Sequence, residues 1–468
     1  MLVLRQDLTN LLGEGALLTE ASDLEKYETG WRYGTGKARL VVRPATTAEV
    51  AHVLGLCHER GLRLIPQGAN TGLVGASVPD GSGDMVVLSL ERMNRRLEVN
   101  PLDRTATVQG GVLLSELNAA LAEHGLIFPV DLGADPQIGA MIATNTGGTR
   151  LLRYGDVRHN LLGLEVVLAD GTVLEAMKAL RKDNTGLDLK QLFTGTTGVL
   201  GIVTGAILNV VPLPRQHAVA LVGCANGEAA LALLQALETR GLEMLSAFEV
   251  ISAEALQAVF THQPRLRNPY GKGELPAYTA LVELASTLEA AHLDLPHLLE
   301  DILAQHLESA AGEGIKDVFM SKPSEAWEIR HHVSESLRGE GRVLGLDLSV
   351  PRAQMAAFTA AVSGWLKATY PFMRLCDFGH WGDGGTHLNL VWSPAACPIP
   401  AETLIPAVQR HVYDLVVREY NGSFSAEHGI GPHNQVFYDD YTPEATRGIC
   451  AMLKQHLDPK NLLGTTRL

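Results

Sequence analysis

In the stretch GHWGDGGTHLNL, residues 379–390, His380 and His387 flank a glycine-rich corner and polar Asn389 stands among apolar residues. Strand alternation puts Cys376, Phe378 and His380 on one face, and His387, Asn389 and Val391 on one face of the next segment. If the corner WGDGGT closes a hairpin, the two imidazoles become cross-strand neighbours with Cβ atoms ~5 Å apart. Divalent metals are bound from such a spacing, and Asn389 can hydrogen-bond an oxygen the metal does not reach. Two histidines on a loop surface would carry the same letters, so the pair needs support from elsewhere.

That support comes from two further segments. In FSAEHGIG, residues 424–431, Gly429 and Gly431 let the chain bend so that Glu427 and His428 project to different parts of one pocket. Glu427 completes a set of two histidines and one carboxylate that leaves open positions and suits zinc, manganese, iron or cobalt. His428 then remains as a base. In WEIRHHVSESLRGEG, Trp327, Ile329, Val333 and Leu337 form an apolar helical stripe, while Arg330 and Ser334 share another face at i, i+4. A guanidinium with a hydroxyl one turn away can hold a carboxylate through parallel N–H bonds. Taken alone, Arg330 reads first as a solvated helix-face charge, and the plain alternative for Glu427 and His428 is an ion-paired surface glutamate with a capping histidine.

Several elements must position these groups. Thr46 and Glu49 predict a capping box for a helix that ends at Gly61, and LRLIP (62–66) follows as a strand. The strand runs into QGANTGLVGASVP, where Gly68, Gly72 and Gly75 leave backbone N–H groups open to an anion. This helix–strand–loop order is unlike the strand–glycine–helix order of a nucleotide-binding Rossmann unit, and G-x-G-x-x-G is absent here. QIGAMIATNTGG (137–148) and the glycine-rich stretch 183–211 repeat the small-residue pattern, and LLGLEVVLADGTVLEA between them reads as a hairpin turning at Asp170 and Gly171. Three such loops predict a large cofactor lying in a small-residue groove. Beyond residue 215, strands such as HAVALVGCA and AYTALVELA alternate with helical stretches, as in antiparallel strands covered by helices. The last residues, LDPKNLLGTTRL, are too short to fold alone and must dock on another part.

With 468 residues, 46% of them hydrophobic, the chain is long enough for two or three domains. A net charge of −14 without a concentrated basic surface argues against a nucleic acid partner and for a small ligand. The five cysteines, Cys57, Cys224, Cys376, Cys397 and Cys450, are scattered, with no disulfide or zinc-ribbon spacing, which suits a reducing cytoplasm. Arg5, Asp7 and Glu14 interrupt the first apolar residues, and no stretch reaches the ~18 apolar residues of a spanning helix, so neither export nor a membrane span is expected.

The glycine loops, RHHVSES, GHWGDGGTHLNL and SAEHGIG, in this order over residues 40–468, closely resemble the FAD-dependent D-2-hydroxy-acid dehydrogenases. These belong to the vanillyl-alcohol oxidase/p-cresol methylhydroxylase flavoproteins, and the resemblance is to their D-2-hydroxyglutarate and D-lactate dehydrogenase branch. It implies an α+β fold: a two-subdomain FAD-binding domain of the p-cresol methylhydroxylase type over 1–214, a cap domain with an antiparallel sheet covered by helices over 215–425, and a segment 426–468 returning to the flavin. Carried over by motif, Pro66, Gly68, Ala69, Asn70, Thr71, Gly72 and Leu73 would cradle the FAD pyrophosphate. Gly139, Thr144, Asn145, Gly147 and Gly148 would follow the dinucleotide, with Gly198, Gly201, Ile202 and Val203 on its other side and Glu427 and Asn461 also at the cofactor. His380, His387 and Glu427 match divalent metal ligands, usually zinc. Arg330, Ser334 and Asn389 match substrate contacts, and His428 a substrate contact and the general base. No histidine or cysteine stands at a flavin-linkage site, so the FAD is expected to be non-covalent.

The chain also departs from the pattern. The 2-hydroxyglutarate enzymes carry a lysine for the distal carboxylate two residues before the aspartate of GLDLSVP, where this chain has Gly345. An acidic residue of the family is Thr197 here, and a lysine is Asn434. The expectation is metal-assisted oxidation of a D-2-hydroxy acid to the 2-oxo acid, with a tail other than that of 2-hydroxyglutarate. An electron-transfer flavoprotein or a quinone would serve as acceptor, and a homodimer is compatible with the family. Two alternatives stay open: a D-2-hydroxyglutarate dehydrogenase that uses Arg342 for the distal carboxylate, and a non-haem iron oxygenase built on the same three ligands.

Overall fold

The computed structural model describes residues 2–241 and 243–468, and the chain divides into two compact units. The first comprises the residues up to Gly148 with Gly155–Leu213 and Glu427–Leu468; the second comprises Thr149–Tyr154 with Pro214–Ala426. The short excursion of Thr149–Tyr154 into the second unit has no signature in the sequence.

In the first unit a four-stranded sheet runs in the order Leu17–Leu18, Ala38–Val42, Met85–Ser89, Leu64–Gln67, with the last three strands parallel. The Met85–Ser89 strand is buried throughout, so it reads as an unbroken apolar run rather than an alternating one. The helix Thr47–Arg60 packs on this sheet through Val50, Val53, Leu54 and Cys57. Its start is built as expected: Thr46 accepts the Glu49 N–H at 3.2 Å, and Gly61 closes the far end in a left-handed conformation. The Glu49 carboxylate accepts the Ala45 N–H at 2.7 Å, one residue earlier than in a reciprocal capping box. A five-stranded antiparallel sheet forms the second layer, and within it Leu161–Val167 and Val173–Ala176 make the hairpin expected at Asp170–Gly171. The tail docks here too. Buried Asp458 accepts the N–H groups of Leu462 and Leu463, Lys454 donates to Asp458 and to the Val199 and Leu463 carbonyls, and Leu463 bridges to Leu64 beside the Leu64–Gln67 strand.

The second unit is a seven-stranded sheet, antiparallel throughout, in the order Ile315–Ser321, Gln216–Cys224, Tyr278–Ser286, Leu245–Ser252, Arg374–Gly379, Gly385–Trp392, Arg342–Ser349. One face packs on the helices Ala253–His262, Pro323–His331 and Val333–Gly339 through Ala247, Ile251, Leu281, Cys376, Phe378 and Val391. Two carboxylates are buried on that face. Glu283 accepts from Ser246 Oγ (2.7 Å), Trp327 Nε1 (2.8 Å) and Arg150 Nε (3.3 Å). Burial opposes its ionisation, but His217, Arg150 and Ser246 outweigh that and hold it down at about 2. Arg150 belongs to the Thr149–Tyr154 segment, and Arg153 adds a bond to the Ala285 carbonyl at 2.5 Å, so this sheet secures the excursion.

On the opposite face lies a third acid, Asp377, 2% exposed. Its Oδ2 has no hydrogen-bond partner among the described residues, and burial pushes the carboxyl up from 3.8 to about 6. A carboxyl whose folded pKa is raised stabilises the fold fully below pH 4 and loses that contribution as pH rises through 6, a swing of about 3 kcal/mol. Asp377→Asn should therefore flatten the decline in unfolding midpoint between pH 4 and 7, and above pH 7 the variant should be the more stable protein. Parallel midpoint-versus-pH curves for variant and wild type would contradict this.

Candidate active site

The glycine segments expected at the cofactor meet in the first unit, where many are required by packing of chain on chain. A Cβ on Gly139 would come 2.9 Å from the Gly110 carbonyl and 3.0 Å from that of Val203, and one on Gly198 would come 2.7 Å from Pro66. Gly68 lies against Ala140, Gly201 against Val166, and Gly148 (φ 102°) against the Asp131 carbonyl. Asn70 and Asn145 hold left-handed backbones, at φ 58° and 52°. Their side chains serve the loops themselves: Asn70 donates to the Thr29 carbonyl (2.8 Å) and accepts from Ser77 Oγ (2.9 Å), and Asn145 donates to Asp156 (2.8 Å). Thr144 Oγ1 donates back to the Ala140 carbonyl at 2.9 Å. Ile202 and Val203 put their side chains into the apolar core, so only their backbone can face a ligand. Asn461 sits in an exposed left-handed turn. Two buried atoms in the same unit, Gln137 Oε1 and Thr197 Oγ1, have no hydrogen-bond partner among the described residues. Unpaired buried polar atoms beside a small-residue cradle fit a large polar ligand such as a dinucleotide.

In the second unit the expected hairpin forms from Arg374–Gly379 and Gly385–Trp392, with a different register. His387 pairs with Phe378, and His380 lies just past the strand end in the corner, yet the two imidazole centroids are 5.2 Å apart. Each offers a ring nitrogen within 4.8 Å of the other's. Asp347, the cross-strand partner of His387, brings a carboxylate oxygen 3.9 Å from its Nδ1. Asn389 donates one amide hydrogen to the His387 carbonyl at 2.9 Å.

Beneath the histidines lies Glu249, 1% exposed, on the strand Leu245–Ser252. Its Oε2 accepts from Arg330 Nε at 2.6 Å and its Oε1 lies 2.5 Å from His380 Nδ1. Burial works against the charge, but Arg330 and His380 prevail and hold the Glu249 carboxyl at about 2. Arg330 is itself buried, stands 4.7 Å over the Phe378 ring, and makes no other hydrogen bond among the described residues. A buried guanidinium with unused terminal N–H groups is an anchor for a carboxylate.

The helix that carries Arg330 differs from the continuous one expected. It is two helices, Pro323–His331 and Val333–Gly339, meeting at His332, and Ser334 is exposed while Arg330 is buried. Arg342 must be corrected as well. It pairs with Trp392 and by alternation shares its side of the strand with Leu344, Leu346 and Leu348. Asp347, opposite His387, and Gly345, opposite Asn389, project from the other side. Arg342 therefore cannot serve as the distal anchor beside the histidines.

Glu427 and His428 begin the last segment of the first unit. Glu427 Oε1 accepts the Gly148 N–H at 3.2 Å. Asn434, 4% exposed, clamps their loop by accepting the Gly431 N–H and donating to the Gly429 carbonyl, both at 2.9 Å. His433 stacks on Tyr33 with centroids 3.6 Å apart, and burial, then the charges of Arg32 and His428, depress it to about 4.

Glu249, Asp347 and Gln137 were missed in the sequence. For Glu249 a signal existed: an acid in the middle of the apolar alternation SAFEVIS must face either solvent or a buried cation, and a strand at the centre of a covered sheet leaves only the second.

Residues 38–177 match the family model described as an FAD binding domain, and residues 213–467 match the C-terminal domain of FAD linked oxidases. The chain is 37% identical over 461 residues to the mitochondrial D-2-hydroxyglutarate dehydrogenase of Bos taurus, covering 97% of this chain and 81% of that protein. To a putative mitochondrial D-lactate dehydrogenase of Schizosaccharomyces pombe it is 33% identical, covering 95% and 84%. Among solved structures, p-cresol methylhydroxylase with substrate bound superposes with a TM-score of 0.73 at 17% identity, over 98% of this chain and 95% of that one. The relatives named mitochondrial overturn the cytoplasmic location expected above. Scattered free thiols report a reducing environment, and the cytoplasm is not the only one. No helix of the described residues is long and apolar enough to cross a membrane.

Asn434→Ala removes the two side-chain bonds to the Gly431 N–H and the Gly429 carbonyl in the loop that carries His428. Turnover should fall by up to about 100-fold while flavin content is kept. Unchanged turnover in a flavin-replete variant would show that the clamp does not position His428.

Proposed function

Because the chain belongs to the FAD-linked D-2-hydroxy-acid dehydrogenases, we propose that it oxidises a D-2-hydroxy acid with a neutral tail to the 2-oxo acid, anchored by Arg330 and assisted by a divalent cation on His380 and His387. Membership in an FAD-linked family removes the non-haem iron oxygenase alternative. The carrying observation is the buried Arg330, whose Nε is taken by Glu249 and whose terminal nitrogens have no partner among the described residues, on a sheet face shared with the two imidazoles.

The imidazole pair is a donor set that zinc, manganese, iron or cobalt accepts, and the sequence motif supplies Glu427 as a third donor, with zinc the first choice. When bound, the FAD supplies a non-covalent hydride acceptor and the cation a Lewis acid that lowers the pKa of the substrate hydroxyl. Arg330 holds the substrate carboxylate with its terminal N–H groups and so fixes the orientation of C2. Asn389 hydrogen-bonds a substrate oxygen through its remaining amide groups, and Ser334 adds a hydroxyl at the exposed rim. His428 takes the hydroxyl proton on a ring nitrogen as the C–O bond becomes a carbonyl and hydride leaves C2. Gly345 presents no cation opposite Asn389, which supports a neutral tail over the second carboxylate of 2-hydroxyglutarate. The electrons then pass to an external acceptor, an electron-transfer flavoprotein or a quinone.

An anaerobic screen of D- and L-2-hydroxy acids for flavin bleaching, with and without chelator, tests this reading. D-acids with short neutral tails should bleach fastest and chelator should suppress the reaction; preferential bleaching by D-2-hydroxyglutarate would refute the neutral-tail assignment. Arg330→Ala should raise KM about 10–100-fold across all substrates, the loss of a charge-assisted hydrogen-bonded anchor. His428→Ala should keep its FAD and slow flavin reduction about 10²–10⁴-fold in stopped flow. A wild-type reduction rate in that variant would remove His428 from the base role.

A further inference from the structure

Glu249 belongs to none of the sequence motifs, yet it touches two of the groups assigned above. It rises from the strand Leu245–Ser252, where Glu249 pairs with Leu281 of Tyr278–Ser286 and the next two residues, Val250 and Ile251, pair with Gly379 and Phe378 of Arg374–Gly379. Its two oxygens are divided, Oε2 to Arg330 Nε at 2.6 Å and Oε1 to His380 Nδ1 at 2.5 Å. Arg330 can only donate to this carboxyl, and with both oxygens taken as acceptors the Nδ1 of His380 is the donor of the second bond; in the neutral imidazole the lone pair is then on Nε2. Metal-binding histidines commonly have their tautomer and ring direction set by a carboxylate in this way. The same charge removes Nε from the donors Arg330 can offer a substrate, leaving the terminal nitrogens as its gripping edge.

We propose that Glu249 is the positioning residue of the site, one buried carboxylate that sets both the tautomer of His380 and the aim of Arg330. The inference rests on the reading of His380 as a cation ligand and Arg330 as the carboxylate anchor. It implies that cation affinity and substrate affinity fail together when this one side chain is changed, although it contacts neither ligand.

Glu249→Gln is the informative variant. A glutamine cannot accept from both partners: with its oxygen on Arg330, its NH₂ donates to His380 Nδ1 and moves the ring proton to Nε2, where it blocks a cation. With the amide turned over, the NH₂ faces the Arg330 N–H. The flavin-replete variant should bind Zn²⁺ about 10–100-fold more weakly by calorimetry and show a KM raised about tenfold or more. A purely structural ion pair would instead lower thermal stability and leave the cation affinity of the folded protein intact. Zn²⁺ affinity and KM both within twofold of wild type overturn the proposal.

If Glu249→Gln does not retain FAD, the wild-type chain supplies the readout. Its ¹⁵N imidazole spectrum, with the His380 signal assigned by its loss in His380→Gln, should show Nδ1 protonated, and an Nε2-protonated ring overturns the proposal. Should wild-type protein bind no Zn²⁺ and turn over normally in chelator, the cation reading fails on its own. The Glu249 proposal is then decided by the KM of Glu249→Gln and by the tautomer.

Discussion

Two negative charges buried on one face of a β-sheet govern the second unit. Glu249 and Glu283 stand on adjacent central strands, where Ala247 pairs with Glu283 and Glu249 with Leu281, and a carboxylate cannot remain there without cations and donors. The helix Pro323–His331 meets part of that demand from a single turn: Trp327 gives its indole N–H to Glu283, and Arg330, three residues on, gives its Nε to Glu249. Arg150 adds charge for Glu283 from a segment far away in sequence, beside His217 on the neighbouring strand. Removing Glu249 would leave the buried Arg330 without the carboxylate that takes its Nε, so the pair holds the helix in one place and thereby holds a guanidinium beside two imidazoles. Specific positioning, rather than net stabilisation, is what such pairs contribute, because the cost of desolvation cancels much of their attraction.

The chemistry-bearing letters were legible and their neighbours less so. The hairpin between His380 and His387, the helix ending at Gly61 and the hairpin at Asp170–Gly171 follow from alternation and turn residues alone, and all three form. The register of the histidine hairpin was not legible, because two residues of freedom in WGDGGT decide whether His380 or Phe378 faces His387. The break at His332 was hidden too, since the apolar stripe runs on from Trp327 to Leu337 through a residue only slightly off helical geometry. The direction of Arg342, by contrast, was available: counting outward from Asp347 by twos reaches Gly345 and Val343, never Arg342.

The glycines teach a separate lesson. Small residues in three loops suggested a surface kept clear for a ligand, but Gly139, Gly198 and Gly201 are small because backbone and side chains of the same unit press against them. Both demands arise where segments converge tightly around a cofactor, and sequence does not distinguish them. The buried Gln137 Oε1 and Thr197 Oγ1, without a hydrogen-bond partner among the described residues, mark a polar demand that no glycine pattern could reveal.

The division of the chain has a consequence for biosynthesis. By the time residue 426 has left the ribosome, every strand of the seven-stranded sheet exists, together with the Thr149–Tyr154 segment that docks on it. The earlier-made unit still lacks Lys454, Asp458 and Leu463, which stitch its parallel sheet closed. The middle of the polypeptide therefore holds all the strands of its sheet before residues 427–468, which belong to the first unit, have been made.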